Sequence, residues 1–314
     1  MKVFTVHAVF RDSRAGPRPL PFFAKVDVRD KIRQEMENYE NYVSHFIPFN
    51  LRPNLDRSRC LIGRTLGLMV GNFVERAEPL IVVARRNHAQ TPLYNLFDNT
   101  LRGWKLQSEV TRGKLAARIP GPFAAMRMMR IPRRWRDARQ LGAKAEPVEI
   151  ERQLADLPEC YHRSGPIHGD LHGHNVMVSG LDSILIDFAH TINGPLAADP
   201  ASLDVDLAFD GDGSTDRSWK NNLAALYSWE ALERVPNCSS RPHDWLWAAV
   251  RQIRILALAE QASAWEYATA VAAYLLRRSM YPGCDAFDNQ KRAFAYVLAE
   301  RLIANIRKKL GGGQ

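Results

Sequence analysis

The first third of the chain has the alternating hydrophobic pattern of β-strands, interrupted by one helical stretch. Apolar residues dominate two runs, Val3–Phe10 and Pro21–Val28, and the segment between them is rich in Gly, Pro and Arg. Such runs separated by turn-forming residues predict a β-hairpin. Between Arg29 and Phe46 apolar residues recur every three or four positions, which predicts a helix. Two further strand-like runs, Cys60–Ile62 and Leu66–Val74, extend the predicted sheet.

The remainder of the chain has mostly the helical pattern. The segment from Glu75 to Pro79 breaks the strand pattern, so we place a boundary there, with a small lobe at residues 1–78 and a large lobe at 79–314. In the large lobe, a turn-rich segment separates the short apolar runs Val176–Val178 and Ile184–Ile186, which predicts a second hairpin. The candidate helices of the last hundred residues are Trp219–Arg234, Trp245–Ala262, Trp265–Arg278 and Phe287–Arg307.

The aromatic residues on these helices are predicted to be core. Trp245, Trp247 and Trp265 are the candidates for a different role, because a substrate pocket needs aromatic walls. Aromatic side chains at helical spacing are more often core than ligand contacts, so the pocket is the second interpretation.

The strongest chemical signal surrounds the second hairpin. His168-Gly-Asp-Leu-His-Gly-His-Asn175 precedes the hairpin, and Asp187 follows it. Antiparallel strands return the chain to its starting end, so Asn175 and Asp187 are expected to lie together. Their amide and carboxylate oxygens suit Mg²⁺, and Asp170 remains available to accept a proton from a substrate hydroxyl. An Asp, an Asn and a second Asp in this order are typical of a phosphoryl-transfer site.

Lys25 is a lone cation within an apolar strand. A charged side chain is costly there unless it finds an anionic partner, and nucleotide phosphates would be such a partner. A carboxylate of the following helix is expected to hold the Lys in place. Glu35 fits best because it lies at the edge of the buried helical stripe, with Glu37 second and Glu40 third. The alternative for Lys25 is a side chain that faces solvent.

Two residues near the loop are predicted to support it. His168 is expected to hydrogen-bond nearby backbone or the turn at Phe188, with no part in proton transfer. Asp199 is expected to hydrogen-bond the loop backbone from below.

The histidines allow a different interpretation, a transition-metal hydrolase site. It would use His and carboxylate ligands together, a combination that suits zinc or iron. This interpretation is disfavoured because it leaves Lys25 and Asn175 without a role. The residues it would use are His168, His172, His174, His190, Asp170 and Asp187.

Composition narrows the class of protein. Of the 314 residues, 46% are hydrophobic and 25% charged, which is enough for a large core. No stretch has the roughly 18 uninterrupted apolar residues of a membrane helix, and the N-terminus lacks the pattern of a signal peptide, so we expect a cytoplasmic protein without a membrane contact. The four cysteines lie far apart, which predicts reduced thiols. They are Cys60, Cys160, Cys238 and Cys284.

The net charge of +9 is concentrated between Arg112 and Arg139. This basic segment 112–139 could bind a phosphorylated substrate or a protein partner, or it could be a solvated surface without a ligand; nucleic acid is disfavoured. The acidic residues Asp204, Asp206 and Asp210 favour a cationic acceptor instead. The charge pattern therefore leaves the acceptor open.

These motifs together resemble a known family. Residues 168–199, with Lys25 and the strand-then-helix order around it, are similar to the aminoglycoside phosphotransferase and choline kinase group of the protein-kinase-like superfamily. Gly169 stands where protein kinases usually carry Arg. In this respect the motif resembles the branch of the superfamily that acts on small molecules. Three runs point to a narrower resemblance, to a bacterial ternary-complex-associated, phosphotransferase-like domain. They are Ile186–Thr191, Gly194–Asp204 and Glu266–Arg278.

The resemblance implies an α+β, bilobal protein-kinase-like fold, with a small antiparallel sheet and one helix at 1–78 and a mainly helical lobe at 79–314. It places a catalytic loop at 168–175 and a metal-binding motif at 186–190. It also implies ATP and Mg²⁺ as cofactors and the hydroxyl of a small molecule as acceptor. The implied roles are catalysis for Asp170, nucleotide binding for Lys25, Glu35, Asn175 and Asp187, metal binding for Asn175 and Asp187, and loop support for His168 and Asp199.

One departure from the family pattern affects the expected activity. No glycine-rich loop precedes Lys25 in the sequence, so we expect either an N-terminally incomplete chain or weak turnover. The alternative function is an inactive nucleotide-binding scaffold of a bacterial conflict or signalling system. A protein-kinase role is disfavoured because no Ala-Pro-Glu motif follows Asp187.

Overall fold

A computed structural model describes residues 1–8, 20–119, 131–210, 217–234, 244–281 and 286–311. These residues form a small lobe built on a β-sheet and a larger lobe built mainly of helices. The predicted α+β class is confirmed.

The sheet of the small lobe is antiparallel throughout and has the strand order β1-β2-β4-β3. Lys25 lies on an inner strand, opposite Val3 on one side and Met69 on the other. The predicted first hairpin is present as the pair β1 and β2, and residues 9–19 between them lie outside the described residues. The strands are β1 (Lys2–Ala8), β2 (Leu20–Val28), β3 (Leu61–Ile62) and β4 (Leu66–Asn72).

Helix α1 (Arg29–Asn38) begins directly after β2 and packs on the sheet. Its buried face includes Ile32 and Glu35. A Cβ atom at Gly67 on β4 would lie 2.7 Å from the Cβ of Ile32, so the glycine allows the helix to approach the sheet closely. This close approach brings Glu35 over the strand that carries Lys25.

Two three-stranded sheets lie in the large lobe. One has the order β5-β8-β9 and contains the predicted second hairpin, β8 and β9. The other has the order β10-β7-β6 and was not predicted, because β6 and β10 read EVTRG and INGP and lack alternation of apolar and polar residues. The strands are β5 (Glu78–Pro79), β6 (Glu109–Gly113), β7 (Cys160–Ile167), β8 (Val176–Ser179), β9 (Asp182–Leu185) and β10 (Ile192–Pro195).

The helices of the large lobe surround one extended hydrophobic core. The central pair is α12 and α13, which pack on each other along their length. The described α-helices are α2 (Leu80–Arg85), α3 (Gln90–Asn95), α4 (Arg102–Leu106), α5 (Leu115–Arg118), α6 (Ile131–Gln140), α7 (Pro147–Ala155), α8 (Ala198–Asp210), α9 (Arg217–Leu226), α10 (Trp229–Glu233), α11 (Asp244–Glu260), α12 (Glu266–Met280) and α13 (Ala286–Gly311).

Two predicted helices differ from the structure. The helix predicted for Arg29–Phe46 is regular only as far as Asn38 and continues as a wider π-helical turn over Tyr39–Val43. The helix predicted for Trp219–Arg234 is divided in two, because the Ser228 hydroxyl accepts the N–H of Ala231 and caps a new helix.

The three candidate tryptophans belong to the core. Trp247 is buried, and Trp245 and Trp265 are partly buried against the core cluster. None of the three lines the cavities described below. Cys60 and Cys160 are free thiols, and Cys238 and Cys284 lie outside the described residues. Among the helices of the described ranges, none is both long and apolar enough to cross a membrane.

Candidate functional site

An ion-pair cluster joins the two lobes. Lys25 Nζ lies 2.7 Å from Glu35 Oε2 and 3.0 Å from Asp187 Oδ1. Lys25 and Glu35 are 7% and 3% exposed, so their charges are almost fully removed from water. Glu40 contacts Arg57 instead, and Glu37 is exposed on α1. Of the three carboxylates considered for Lys25, Glu35 is therefore the one in contact.

Burial and neighbouring charges compete in this cluster. Burial lowers the pKa of Lys25, but Glu35 and Asp187 outweigh it and raise the pKa above the ordinary value. For Asp187, burial raises the pKa, yet the charge of Lys25 brings it below the ordinary value. Burial dominates for Glu35 and raises its pKa. Lys25 is thus cationic and Asp187 anionic at neutral pH.

The ion-pair cluster forms the polar end of a cavity of about 220 Å³ that is lined by residues of both lobes, which we call the inter-lobe cavity. Phe23, Met69 and Val74 line it from the small lobe, and Met177 and Ile186 line it from the large lobe. Most of its surface is apolar, and its charged groups are confined to one end. Small-molecule and cofactor sites have this combination of apolar walls and a few polar or charged groups.

Asp187 has an unusual backbone conformation. Its φ is +64°, in the left-handed region that non-glycine residues rarely adopt. The following segment is held by α1, since the Asn38 amide donates to the carbonyl oxygens of Phe188 at 2.9 Å and Ala189 at 3.2 Å. Such a conformation persists only where the surroundings fix it, and strained backbone of this kind clusters at functional sites. Sequence reasoning missed Asn38.

Residues 168–175, which we call the reactive loop, place Asp170 and Asn175 next to each other. The Asn175 side-chain amide donates to the Asp170 carbonyl oxygen at 3.0 Å, and its backbone carbonyl accepts the N–H of Ile186 at 3.0 Å. The second contact fixes Asn175 against the strand end that leads into Asp187. The two predicted metal ligands are thereby held at the same end of the hairpin.

A buried carboxylate holds the start of this loop. Asp199, on α8, accepts the backbone N–H groups of His168 at 2.7 Å and Gly169 at 3.0 Å. His168 Nε2 lies 2.9 Å from the Ile186 carbonyl oxygen, so this nitrogen carries the proton and donates. The contacts expected for Asp199 and His168 are therefore present.

Gly169 has a local reason to be glycine. Its φ is +77°, and a Cβ atom there would lie 2.3 Å from the His190 carbonyl oxygen. Any side chain at this position would displace the segment that follows Asp187.

Arg277 on α12 is a site residue that sequence reasoning missed. Its Nη2 lies 2.6 Å from Asp170 Oδ1, and its Nη1 lies 3.3 Å from the Gly169 carbonyl oxygen. The guanidinium is flanked by the rings of Tyr274 and Tyr281. The available signal was a pair of arginines, Arg277 and Arg278, in an otherwise apolar helix.

A second cavity, of about 420 Å³, opens beside Asp170. Its walls come from the reactive loop and from α8, α12 and α13, and most of the residues that line it carry a polar or charged group. Asp206 and Asp210 line it and both contact Arg278. His172 also lines it, and burial lowers the pKa of this imidazole, which is therefore neutral at pH 7.

The predicted acidic patch is wrong for Asp204. It is fully buried, and its carboxylate contacts Arg254 at 2.8 Å and accepts the hydroxyls of Tyr227 and Tyr267, both at 2.8 Å. Asp204 therefore belongs to the core, because folding places the helix face that carries it away from the cavity. Asp206 points the other way and accepts the Gly173 N–H at 2.7 Å.

We expect Asp206 to make stability depend on pH. Burial, with the nearby Asp210 carboxylate, raises the pKa of Asp206 to about 8 from an ordinary 3.8. The folded protein then holds this proton more tightly than the unfolded chain, so the contribution is complete below pH 3.8 and falls as the pH rises towards 8. Asp206→Asn keeps an acceptor for Gly173 and removes the titration.

Urea unfolding between pH 5 and 8 checks this expectation. The free energy of unfolding of the wild type should fall relative to Asp206→Asn as the pH rises, by at most about 1.4 kcal/mol per pH unit. Asp182→Asn changes an exposed carboxylate at the start of β9, and its profile should run parallel to that of the wild type. Parallel profiles for all three proteins would contradict the assignment.

The alternative metal site finds no support in the described residues. Within them, no group of three or more His, Cys, Asp or Glu side chains is arranged to hold a metal ion. The basic segment 112–139 is described only in part. Arg127 and Arg130 lie outside the described residues, whereas Arg112 contacts Glu159 and Arg139 lies over the ring of Trp135.

Solved structures with similar architecture are phosphotransferases by their names. An amicoumacin kinase in complex with AMP-PNP, Ca²⁺ and Ami matches with a TM-score of 0.52 at 12% identity, over 97% of this chain and 88% of that chain. A glucosamine kinase in complex with glucosamine, ADP and inorganic phosphate gives 0.47 at 14%, over 93% and 80%. A choline kinase from Cryptosporidium parvum gives 0.40 at 10%, over 99% and 90%. The first match shows that the fold is the bilobal protein-kinase-like fold.

The sequence comparison defines the family. Residues 83–304 match the family described as ternary complex associated domain 9. The match covers more than two thirds of the chain, so the chain belongs to this family, and the resemblance noted in the sequence is confirmed. No curated protein matches the chain. The matched region contains Asp170, Asn175 and Asp187, whereas Lys25 and Glu35 precede it.

Proposed function

We propose that this protein is an ATP- and Mg²⁺-dependent phosphotransferase that transfers the γ-phosphoryl group to a hydroxyl of a small molecule. The observation that carries the proposal is the contact of Lys25 with both Glu35 and Asp187 at the charged end of the inter-lobe cavity. Charge neutralisation and positioning are the main tasks of a phosphoryl-transfer site, and this cluster provides a fixed cation and a metal-binding carboxylate together.

The inter-lobe cavity fits a nucleotide. Its apolar walls, which include Phe23, Met69 and Met177, suit a purine ring, and its charged end suits phosphates. Lys25 already has two anionic partners in the structure, so its ammonium is oriented before a nucleotide arrives. Asp187 shares this cation and is 33% exposed, so it has room to accept a further ligand.

The residues at the hairpin end fit a magnesium ion. Mg²⁺ takes oxygen ligands and usually uses one or two protein side chains together with substrate phosphates. The Asn175 amide nitrogen is engaged with Asp170, so its amide oxygen is the atom left to bind metal, beside the Asp187 carboxylate. When bound, the ion would neutralise charge on the transferred phosphoryl group.

Asp170 is the proposed proton acceptor. It lies on the reactive loop, and it lines the second cavity, where an acceptor hydroxyl would enter. Asp199 and Gly169 fix the backbone just before it. A carboxylate that is held in this way orients a hydroxyl oxygen for attack and takes its proton as the new P–O bond forms.

One observation favours the alternative function, a nucleotide-binding module with little or no turnover. Asp170 Oδ1 is engaged by Arg277 at 2.6 Å. This contact occupies one of the two carboxylate oxygens that would receive the proton of an acceptor hydroxyl, and it fixes the orientation of the carboxylate. If Arg277 keeps this position when nucleotide is bound, the site would bind nucleotide without transferring phosphate.

Two measurements separate these functions. Calorimetric titration with ATP, with and without Mg²⁺, measures binding, and release of ADP in the presence of sugars, amino alcohols, aminoglycosides and nucleosides measures transfer. We expect Asp187→Ala to weaken Mg²⁺-dependent ATP binding by about tenfold or more, because it removes a charged ligand. Asp30→Ala, which changes an exposed carboxylate on α1, is the control.

The outcomes are distinct. Mg²⁺-dependent binding with ADP release that is lost in Asp187→Ala supports the phosphotransferase. Binding without release on any acceptor supports the module. Equal ATP binding by the wild type and Asp187→Ala, with and without Mg²⁺, would contradict both.

A further inference from the structure

We propose that Asn38 on α1 is a positioning residue that holds the Asp187 carboxylate in the orientation in which it binds a metal ion. The inference rests on the proposed function, because it assigns the residue that prepares the metal ligand of the same site. Asn38 is not among the described residues that line the inter-lobe cavity or the second cavity, so it acts through Asp187 and not on the ligands themselves.

The Asn38 amide is buried and has a fixed orientation. The residue is 4% exposed. Its Nδ2 donates to the carbonyl oxygens of Phe188 at 2.9 Å and Ala189 at 3.2 Å, and its Oδ1 accepts the Gln34 amide at 2.9 Å. Carbonyl oxygens only accept hydrogen bonds, so the NH₂ group must face them. Both donors of the amide are thus used on the segment that follows Asp187.

One peptide unit connects Asn38 to the Asp187 carboxylate. A planar trans peptide points its C=O and its N–H in opposite directions. The carbonyl of Phe188 accepts from Asn38 at 2.9 Å, and the N–H of the same unit, which belongs to Ala189, donates to the carboxylate. An amide that holds the carbonyl on one side therefore aims the N–H at the carboxylate on the other side.

The electrostatics of Asp187 agree with this geometry. Burial raises its pKa, the charge of Lys25 lowers it, and the hydrogen bond from Ala189 lowers it further, so that the pKa lies below the ordinary value. The carboxyl group is therefore kept in the anionic form, which is the form that binds a divalent cation.

Helix α1 also reaches Asp187 by a second route. Glu35 lies one turn before Asn38 and contacts Lys25, which in turn contacts Asp187 Oδ1 at 3.0 Å. Residues three apart on a helix share one face. One face of α1 thus fixes the carboxylate from the cation side and from the peptide side, and the left-handed backbone of Asp187 lies between these two points.

Loss of the Asn38 donors should release the metal ligand without removing the nucleotide site. With no donor opposite the Phe188 carbonyl, this peptide can turn, and the strained backbone of Asp187 can relax towards the common region of φ. The carboxylate then leaves its place at the hairpin end, whereas the apolar walls of the inter-lobe cavity keep theirs. Mg²⁺-dependent binding of ATP should therefore weaken, and Mg²⁺-independent binding should not.

Calorimetric titration of ATP with and without Mg²⁺, on the whole chain, tests the inference. The measured quantity is the factor by which Mg²⁺ tightens ATP binding. Asn38→Leu keeps a side chain of similar volume and removes both donors, and we expect it to reduce this factor about tenfold because two hydrogen bonds are lost. ATP binding without Mg²⁺ should change little.

Two further variants support the comparison. Asn99→Leu changes an exposed asparagine of the large lobe and should leave the factor unchanged. Asn38→Ala leaves room for water to pair with the two carbonyl oxygens, so it should fold if Asn38→Leu does not, and it should act in the same direction. Thermal unfolding shows which variants are folded.

Double variants show whether Asn38 acts through the Asp187 carboxylate. Residues that act through one another give non-additive effects, whereas independent residues give additive ones. In Asp187→Ala, adding Asn38→Leu should lower the factor no further. In Asn175→Ala, which removes the other predicted metal ligand, adding Asn38→Leu should lower it further.

The outcomes separate the inference from the proposed function. If Asp187→Ala lowers the factor and both Asn38 variants retain it, the inference is overturned and the proposed function stands. A loss of ATP binding in Asn38→Leu that is equal with and without Mg²⁺ overturns the inference too, because it indicates a general tie between the lobes. A further loss of the factor when Asn38→Leu is added to Asp187→Ala does the same. A wild type whose ATP binding Mg²⁺ does not affect overturns both.

Discussion

Replacing Asp170 with Asn is expected to lower the rate of phosphoryl transfer by about 10²- to 10⁴-fold, the usual contribution of a general base. Asparagine has nearly the same shape and cannot accept the proton. Nucleotide binding should change little, because Asp170 lines the second cavity and not the inter-lobe cavity. Single-turnover measurement of ADP formation, together with calorimetric titration of ATP, checks both parts of the prediction.

Two controls make the result interpretable. Asp182→Asn changes an exposed carboxylate of the same type and should retain the wild-type rate. Because Asp170→Asn also removes the ionic partner of Arg277, thermal unfolding must show that the variant is folded. A folded Asp170→Asn protein with wild-type turnover would show that proton transfer to this carboxylate does not limit the reaction.

Replacing Arg254 with Met should lower the free energy of unfolding by about 3–5 kcal/mol, a large loss of stability for a single substitution. Arg254 and Asp204 are both fully buried and lie 2.8 Å apart. Methionine fills similar space but leaves the Asp204 charge without a cation, and desolvation of an unpaired charge is costly. Urea unfolding of the wild type and the variant measures the loss.

A surface pair gives the matched comparison. Arg152 contacts Glu149 at 2.8 Å but is 64% exposed, so Arg152→Met should change stability by less than about 1 kcal/mol. The double variant Arg254→Met with Asp204→Leu should recover part of the loss, because it removes the charge as well as its partner. Losses of similar size for Arg254→Met and Arg152→Met would show that the buried pair does not stabilise the fold.

The parts of the site that were predictable from sequence have strong local signals. Asp170, Asn175 and Asp187 lie in a short segment whose hairpin geometry follows from apolar runs and turn residues. Lys25 is conspicuous because a cation in an apolar strand needs a partner. Glu35 could be ranked above its neighbours because helical periodicity fixes which residues face the sheet.

The parts that were missed depend on distant segments. Arg277 is 107 residues from Asp170, and Asn38 is 150 residues from Phe188, so no local pattern links them. Asp204 was misassigned because neighbouring acidic residues on one helix were treated as one surface. A helix turns by about 100° per residue, and only packing decides which side of it faces a cavity.

The same limit applies to secondary structure. The strands β6 and β10 are short and polar, and they exist because β7 lies between them and supplies hydrogen bonds to both. Strand formation at such positions is decided by tertiary pairing and not by the composition of the strand.

Helix α8 has a mechanical consequence for this protein. It carries both Asp199, which anchors the backbone at residues 168 and 169, and Asp206, which anchors Gly173. The loop that holds Asp170 is therefore fastened at two points to a helix of the core. If the lobes separate to admit a large ligand, Asp170 should stay still as part of a rigid platform, and the moving part should be the sheet that carries Lys25.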